Sequence, residues 1–462
     1  HLEAVKDIIK GKNRTRVLKE TNLLLDELKN LLEGIFMIHD VYPKTLDLVA
    51  SFGERLSALI VSEGLKDRKI KAKLLDSRNL VKTDNNFINA KVEIKKTYKN
   101  ISEYFKKNKE LQIITGFIGS TDEGETTTIG RGGSDYTASI FGAALDAEEI
   151  QIWTDVDGVM TADPRKVKKA FPIKNLTYEE AMEMSYFGAK IIYPPTMVPA
   201  FEKKIPIRIR NTFNPISEET IISEEKEKSP FLIRGIACIN AITLLRIQGS
   251  GMVGMVGTSE RLFGALARKK VNVILITQAS SEHSICIAVA PEEANKAKEA
   301  IDEEFHTEIK EHQLNEVVTE NDLSIISVIG ENMRHTPGIA GKVFNALGEN
   351  NISISAIAQG SSELNISAVI NQKDQTKAMN AIHESFFFSD VKTLNVFLIG
   401  PGLVGSTLLK QMEERAAFFN RNRSLEIELI GIMNSKNMLF DEGGISIKEW
   451  KKNLENSKEK SD

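Results

Sequence analysis

Apolar residues at the start of the chain recur at helical spacing. Leu23, Leu24, Leu25, Leu28, Leu31 and Leu32 predict one apolar face of an amphipathic helix, and the chain to about residue 110 reads as mostly helical. The pattern changes at residues 111–119, a short apolar run ending in glycine that predicts a buried strand. The Gly-, Thr-, Ser- and Asp-rich segment from there to Asp135 is too polar for a core and predicts a loop. A strand at 150–154, a turn punctuated by Gly and Pro at 155–164, a helix at 179–190 and a strand at 205–210 follow. Strands alternating with helices predict an α/β domain.

Residues 214–230 are rich in Glu, Lys, Ser and Pro and lack apolar periodicity, which predicts a solvated linker and a boundary near 225. Beyond it the chain repeats itself. Ile276-Thr-Gln-Ala-Ser-Ser-Glu282 returns as Ile357-Ala-Gln-Gly-Ser-Ser-Glu363, 81 positions on. The same offset pairs Gly249 with Gly330, Gly257 with Gly338, Phe263 with Phe344 and Ile285 with Ile366. Each copy reads strand, helix, strand, strand, helix (242–248, 257–269, 271–278, 283–290 and 291–305 in the first), the split pattern of a ferredoxin-like α+β module. A further unit starts near 392. There a strand at 394–399 runs into Gly400-Pro-Gly-Leu-Val-Gly405 and a helix, the context a dinucleotide fingerprint requires. Gly400, Gly402, Leu403, Val404 and Gly405 are its candidate cofactor contacts. The next strand, 426–432, ends at Asn434-Ser-Lys436, where the acidic residue that selects NAD is missing. Lys436 suits a 2′-phosphate instead, which favours NADP over NAD. The Lys/Glu-rich tail from Lys448 reads as a solvated helix face.

Composition narrows the function. Sixty Lys and Arg against 64 Asp and Glu leave a formal net charge of −4, which gives no electrostatic footprint for nucleic acid and no basic, membrane-seeking surface. No stretch approaches the roughly 18 consecutive apolar residues of a membrane helix. Cys238 and Cys286 stand apart in apolar runs, so a disulfide framework is not expected and a reducing cytoplasm fits. The seven histidines have no metal-ligand spacing, and no metal held by protein side chains alone is expected. The chain begins at His1, inside a helical pattern, and stops partway into its last unit, so a fragment is expected.

The densest polar segment is Thr126-Thr-Thr-Ile-Gly-Arg-Gly-Gly-Ser-Asp135. Its glycines let backbone N–H groups approach a ligand, and Arg131 offers a planar fork for a carboxylate or phosphate. Trp153-Thr-Asp-Val-Asp-Gly158 and Asp163-Pro-Arg165 follow a strand's carboxyl end, where open α/β sheets bind ligands. No GxxxxGK[ST] occurs, which excludes a P-loop.

These segments, with Ser51-Phe-Gly-Glu-Arg-Leu-Ser57 and Phe187-Gly-Ala-Lys190 followed by Tyr193-Pro, resemble the aspartate kinases of the amino-acid kinase fold. The repeats resemble the ACT modules of those kinases, and the end of the chain resembles the start of homoserine dehydrogenase. The order is similar to that of the bifunctional aspartokinase–homoserine dehydrogenases. The resemblance implies a three-layer α/β/α kinase domain at 1–225, ACT modules at 235–317 and 318–390, and a partial Rossmann unit at 392–462.

It further implies phosphorylation of the L-aspartate side-chain carboxylate by ATP with Mg²⁺, in threonine, methionine and lysine synthesis. Glu54 would meet the substrate ammonium and Arg131 its α-carboxylate, with Gly132, Gly133 and Ser134 lining the same pocket. Asp135 and Lys190 would be the catalytic pair, while Thr154, Asp155, Arg165 and Lys190 would hold ATP. Gln278 and Gln359, equivalent in the two repeats, would bind an amino-acid effector, threonine ahead of lysine or another. A homo-oligomer through the ACT modules is implied. Two departures stand out: Met160 replaces the family's Tyr in the nucleotide loop, and the family's opening Lys-Phe-Gly-Gly strand is absent. The fragment by itself is therefore expected to be inactive, and a non-catalytic amino-acid sensor with a decayed kinase is the alternative.

Overall fold

A computed structural model describes residues 1–189, 192–225, 231–252, 256–278, 283–333, 336–360, 364–388, 392–423, 425–441, 444–457 and 459–460. Backbone proximity divides the chain into two units, His1–Met379 and Asn380–Asp462, with the division inside the helix Gln375–Phe387.

The first unit opens with helices Leu2–Ile8, Gly11–Ile38 and Pro43–Asp67, the last with proline at its first turn, where its missing N–H costs nothing. The leucine face of Gly11–Ile38 is narrower than its spacing predicts. Leu24, Leu25, Leu28 and Leu31 are half-buried, whereas Leu23 and Leu32 are exposed. Strand Ala72–Leu75 then lies parallel to Leu111–Ile114, joined through the amphipathic helix Ile94–Lys107. Ile101 of that helix meets Leu75, Val81, Ile129, Ile140 and Phe141 in a core between sheet and helices. Fully buried side chains such as Ile101 and Ile140 each contribute about 1.5–3 kcal/mol.

The apolar run 111–119 does not form one strand. It breaks at Thr115, Gly116 and Phe117 (φ +66°) and resumes as Ile118–Ser120, hairpinned with Thr126–Thr128. Further on, Ile150–Thr154 pairs parallel with Ile207–Asn211, which pairs antiparallel with Thr220–Ser223, itself parallel to Asn175–Thr177. The helix expected at 179–190 is Tyr178–Tyr186, and a second helix, Pro194–Lys203, follows it.

The two repeats build one six-stranded sheet. Its order is Val273–Gln278, Ser284–Val289, Gly235–Gln248, Val318–Ile329, Asn365–Asn371, Ile354–Gln359. The strand expected at 242–248 begins at Gly235, and its first half crosses into the second module, pairing Gly235 with Ile329 and Cys238 with Ile326. Its second half pairs with Ser284–Val289 of its own module. Ile242 pairs with Leu323, its own equivalent at the 81-residue offset, so a pseudo-two-fold axis passes through that pair. The glycines shared by the repeats are explained by backbone demand: Gly257 (φ +94°) and Gly338 (φ +89°) each precede the module's first helix in a left-handed conformation.

In the second unit Lys392–Ile399 pairs parallel with Leu425–Met433, the helix Leu403–Arg423 connecting them, and Asn437–Phe440 adds an antiparallel strand. The tail is not one solvated helix. Trp450–Glu455 buries Leu454, and Glu459–Lys460 closes the sheet against Asn437 and Met438.

Candidate functional site

A cavity of about 530 Å³ opens in the first unit, lined by Gly130, Arg131, Gly132, Gly133, Ser134 and Asp135 together with Leu46, Asp47, Ala50, Ile88, Phe117 and Thr128. Five predicted residues, Arg131 to Asp135, thus share one wall. They form the entry to the helix Gly133–Ala144, whose dipole favours an anion, with the Gly133 N–H itself donating to Gly130 O at 3.1 Å. Arg131 is exposed at the rim.

Glu54, one helix away, is tied to this wall. The strand break at residue 116 turns the Gly116 N–H toward it, donating to Oε2 at 3.0 Å, and Ser134 Oγ donates to Oε1 at 3.2 Å. Thr137 Oγ1 accepts the Phe117 N–H at 3.0 Å and donates to Gly133 O at 2.8 Å, fixing the loop from inside the helix. Arg131 therefore lines the cavity, whereas Glu54 does not line it and is tied to its wall through Ser134.

Burial pushes the Asp135 carboxyl above its ordinary value. Gly132 has φ +67°, and a Cβ there would lie 2.7 Å from Tyr193 Cβ. Gly132→Ala is accordingly expected to cost about 1–2 kcal/mol from the left-handed backbone alone, with further loss from the clash. Chemical denaturation checks it.

Asp47 is a site residue that the sequence reading missed. Its buried carboxylate accepts from Ile88 N–H (3.0 and 2.9 Å), Thr128 N–H (3.0 Å) and Thr128 Oγ1 (2.6 Å), pinning the 84–90 segment to the hairpin. Its seven-residue spacing from Glu54 puts both on one side of the helix Pro43–Asp67, a periodicity that offered the available signal.

Thr154 and Asp155 lie at the carboxyl end of Ile150–Thr154, joined by a 3.2 Å hydrogen bond, with Asp155 exposed. Beside them Asp157 accepts from Asn211 Nδ2 at 2.8 Å. Arg165 is exposed and forks onto Asp163 through Nε (3.0 Å) and Nη2 (2.7 Å), which holds that carboxyl below its usual range. None of Thr154, Asp155 and Arg165 lines the cavity, and Lys190 lies outside the described residues. Met160 bridges to Pro172 through its backbone. Among the described residues no group of three His, Cys, Asp or Glu side chains is arranged to hold a metal ion. Magnesium carried by substrate phosphates needs only one or two carboxylates, and Asp135 in the cavity wall fits that requirement.

Gln359 lines a second cavity, about 290 Å³, with Met333, Thr336, Pro337, Gly338 and Ile339 at the entry of the second module's first helix. Gln278 ends the equivalent strand and is exposed, and residues 253–255 and 279–282 of that module lie outside the described residues.

In the second unit Gly400 (φ +82°) donates its N–H to Met433 O at 2.8 Å, which brings the glycine turn beside Asn434. A Cβ on Gly405 would meet Gly400 O at 2.6 Å, so only glycine allows this close helix–strand packing. Gly402 has open space around it, and Leu403 and Val404 are exposed. Asn434 Oδ1 accepts from Lys436 and Asn437 N–H, leaving the Lys436 side chain exposed at the turn. These residues fit a dinucleotide.

Comparison with known proteins identifies the domains. Residues 3–211 match the amino acid kinase family, and residues 245–305 and 326–386 each match an ACT domain. The chain is 36% identical over 463 residues to bifunctional aspartokinase/homoserine dehydrogenase 2, chloroplastic, of Arabidopsis thaliana, covering 98% of this chain and 50% of that protein. It is 37% identical to the bifunctional enzyme of Haemophilus influenzae, covering 57% of it, and 34% identical to aspartokinase 1, chloroplastic, of Arabidopsis thaliana, covering 86% of this chain and 71% of that protein. It spans about half the length of the bifunctional relatives. E. coli aspartokinase III with aspartate and ADP superimposes with a TM-score of 0.68 at 30% identity, covering 80% of this chain and 81% of that one. The same enzyme with lysine and aspartate gives 0.64. The expected kinase and ACT folds are borne out, and the chain belongs to the aspartokinase family.

Proposed function

We propose that the protein to which this chain belongs transfers the γ-phosphoryl group of ATP to the side-chain carboxylate of L-aspartate. The observation that carries the reading is the cavity wall of Gly130 to Asp135 at a helix N-terminus, with Glu54 hydrogen-bonded to it. Glu54 receives the substrate ammonium and Arg131 its α-carboxylate, which fixes an amino acid by both charged ends and presents the third group to react. Gly132, Gly133 and Ser134 line the same pocket, and Asp135 organises the site. Thr154, Asp155, Arg165 and Lys190 hold the nucleotide. Magnesium bound with ATP offsets phosphate charge, where positioning and electrostatics do most of the catalysis.

The dehydrogenase portion, of which Gly400 to Gly405 and Asn434 to Lys436 are part, takes NADP ahead of NAD. The Gln359 cavity and its Gln278 equivalent bind an amino-acid effector, threonine first among candidates, and ACT modules join copies into a homo-oligomer. No described helix is long and apolar enough to cross a membrane. With both thiols free, a reducing compartment such as cytoplasm suits the chain.

The test is aspartate-dependent ADP release by the whole enzyme. Arg131→Ala removes a charge-assisted pair and is expected to raise KM for aspartate about 10- to 100-fold with KM for ATP little changed. Threonine binding without ADP release from the wild type would favour the sensor reading instead.

A further inference from the structure

The loop that carries Asp163 and Arg165 is closed at its base. Thr161 N–H donates to Phe171 O at 2.9 Å, Phe171 N–H donates to Thr161 Oγ1 at 3.2 Å, and Met160 bridges to Pro172. Inside the loop the N–H groups of Lys166 and Val167 both donate to Asp163 O at 2.9 Å, and Val167 is buried. The loop is also gripped from the regulatory modules, by the strand that carries Asn240 and the helix that begins at Gln375. Lys166 Nζ donates to Gln375 Oε1 at 2.7 Å and to Asn240 Oδ1. Gln375 Nε2 donates back to Asn240 Oδ1 at 3.0 Å and reaches Cys238 Sγ at 2.6 Å, and Ser324 Oγ donates to Asn240 O at 2.6 Å. Ile236 N–H adds a bond to Thr161 O at 2.7 Å.

Asn240 and Ser324 sit on the two long strands, within two residues of the Ile242–Leu323 pair that marks the pseudo-two-fold axis. Register there is already irregular, with shifts on both sides of Leu323. The Lys166 ammonium is thus bonded at the place where the two modules meet, while its chain neighbour Arg165 is exposed on the Asp163 side of the same turn.

We propose that Lys166 is a positioning residue that fixes the Arg165 turn to the centre of the ACT pair, so that movement of one module against the other changes the affinity for nucleotide. The inference rests on the kinase reading above, in which Arg165 stands beside the ATP phosphates. It adds the route by which the regulatory sheet reaches that site. A coupling of this kind needs an element whose arrangement both ligands bias, and the Lys166–Asn240–Gln375 network connects the turn to such an element.

In the whole enzyme, Lys166→Met keeps the aliphatic stem and removes the donors. It is expected to raise KM for ATP about tenfold while kcat and KM for aspartate stay within about twofold. Asn240→Ala, at an exposed position, should shift KM for ATP in the same direction, and the double variant should lie no further than the larger single. Lys166→Arg, which retains donors, should recover most of the loss. Threonine inhibition, where present, should weaken in parallel. An unchanged KM for ATP in Lys166→Met, or strictly additive effects with Asn240→Ala, overturns the proposal and leaves the kinase reading intact. A wild type that releases no ADP with aspartate overturns the kinase reading and this inference together.

Discussion

Glu180→Ala is expected to cost about 3–5 kcal/mol of stability, the loss typical of breaking a buried ion pair from one side. The Glu180 side chain is fully buried between the kinase helix Tyr178–Tyr186 and the ACT pair. Its Oε2 accepts the Thr177 N–H at 3.0 Å, completing a capping box, and its Oε1 accepts Arg234 Nε at 3.2 Å and the Glu331 N–H at 2.9 Å. One carboxylate therefore closes a helix terminus, meets a guanidinium that is itself only 11% exposed, and holds the segment leading into the Gln359 cavity. Alanine removes all three acceptor roles at once. Glu180→Gln keeps one acceptor oxygen, loses the charge and turns the other oxygen into a donor that faces an N–H, so it should fall between alanine and wild type. Urea unfolding of the chain checks both: a loss below about 1 kcal/mol in Glu180→Ala would mean that the pair behaves as a solvated surface bridge. A variant that remains folded should also bind an effector at the Gln359 cavity more weakly, because Glu331 begins the turn that supplies Met333 to its wall.

Part of this was legible. Thr177-x-x-Glu180 is a capping-box spacing, and the helix it opens falls within the predicted 179–190 segment. Its partners Arg234 and Glu331 lie 54 and 151 residues away, and nothing local announces them. The same division holds elsewhere. The Gly130 to Asp135 wall and the 81-residue repeat are local or periodic patterns, and both read directly from the chain. The break at Thr115 to Phe117 does not, because apolar residues on either side imitate one strand and the backbone N–H groups that leave the ladder go to Glu54 and Thr137 from other elements. The helix Pro194–Lys203 hid behind its prolines: Pro194 occupies the first turn, where proline is tolerated, and Pro199 sits inside. The first half of Gly235–Gln248 was missed because exposed Asn240 and Ala241 interrupt the apolar alternation in mid-strand. That interruption is where Lys166 and Gln375 reach the strand, so the weak spot in the pattern marks a contact between domains.

Asp135→Asn is expected to stabilise the chain at neutral pH while lowering turnover of the whole enzyme by on the order of 10²–10³. The two effects have one cause. Asp135 stands in the first turn of Gly133–Ala144, in the cavity wall, and burial disfavours its charged form, raising its pKa above the unfolded value. The sign follows from proton linkage: the folded state binds this proton more readily than the unfolded state, so the favourable contribution is complete below the unfolded carboxylate pKa and is lost as pH rises through the folded one. At neutral pH the ionised side chain is thus a net cost to folding, offset in part by the helix N-terminus. Asparagine keeps the shape and removes the charge, which relieves that cost. Its advantage in Tm should be present near pH 7 and shrink toward about pH 4, where aspartate itself becomes neutral. Activity should move the other way, because in the reaction proposed above Asp135 organises charge around the transferred phosphoryl group, a role a neutral amide does not fill. Thermal melts at pH 4 and pH 7, together with kcat, separate the outcomes. A variant that loses activity and stability together would make Asp135 a structural cap, whereas one that gains stability and loses turnover shows a charge retained against the interest of the fold, as active sites require.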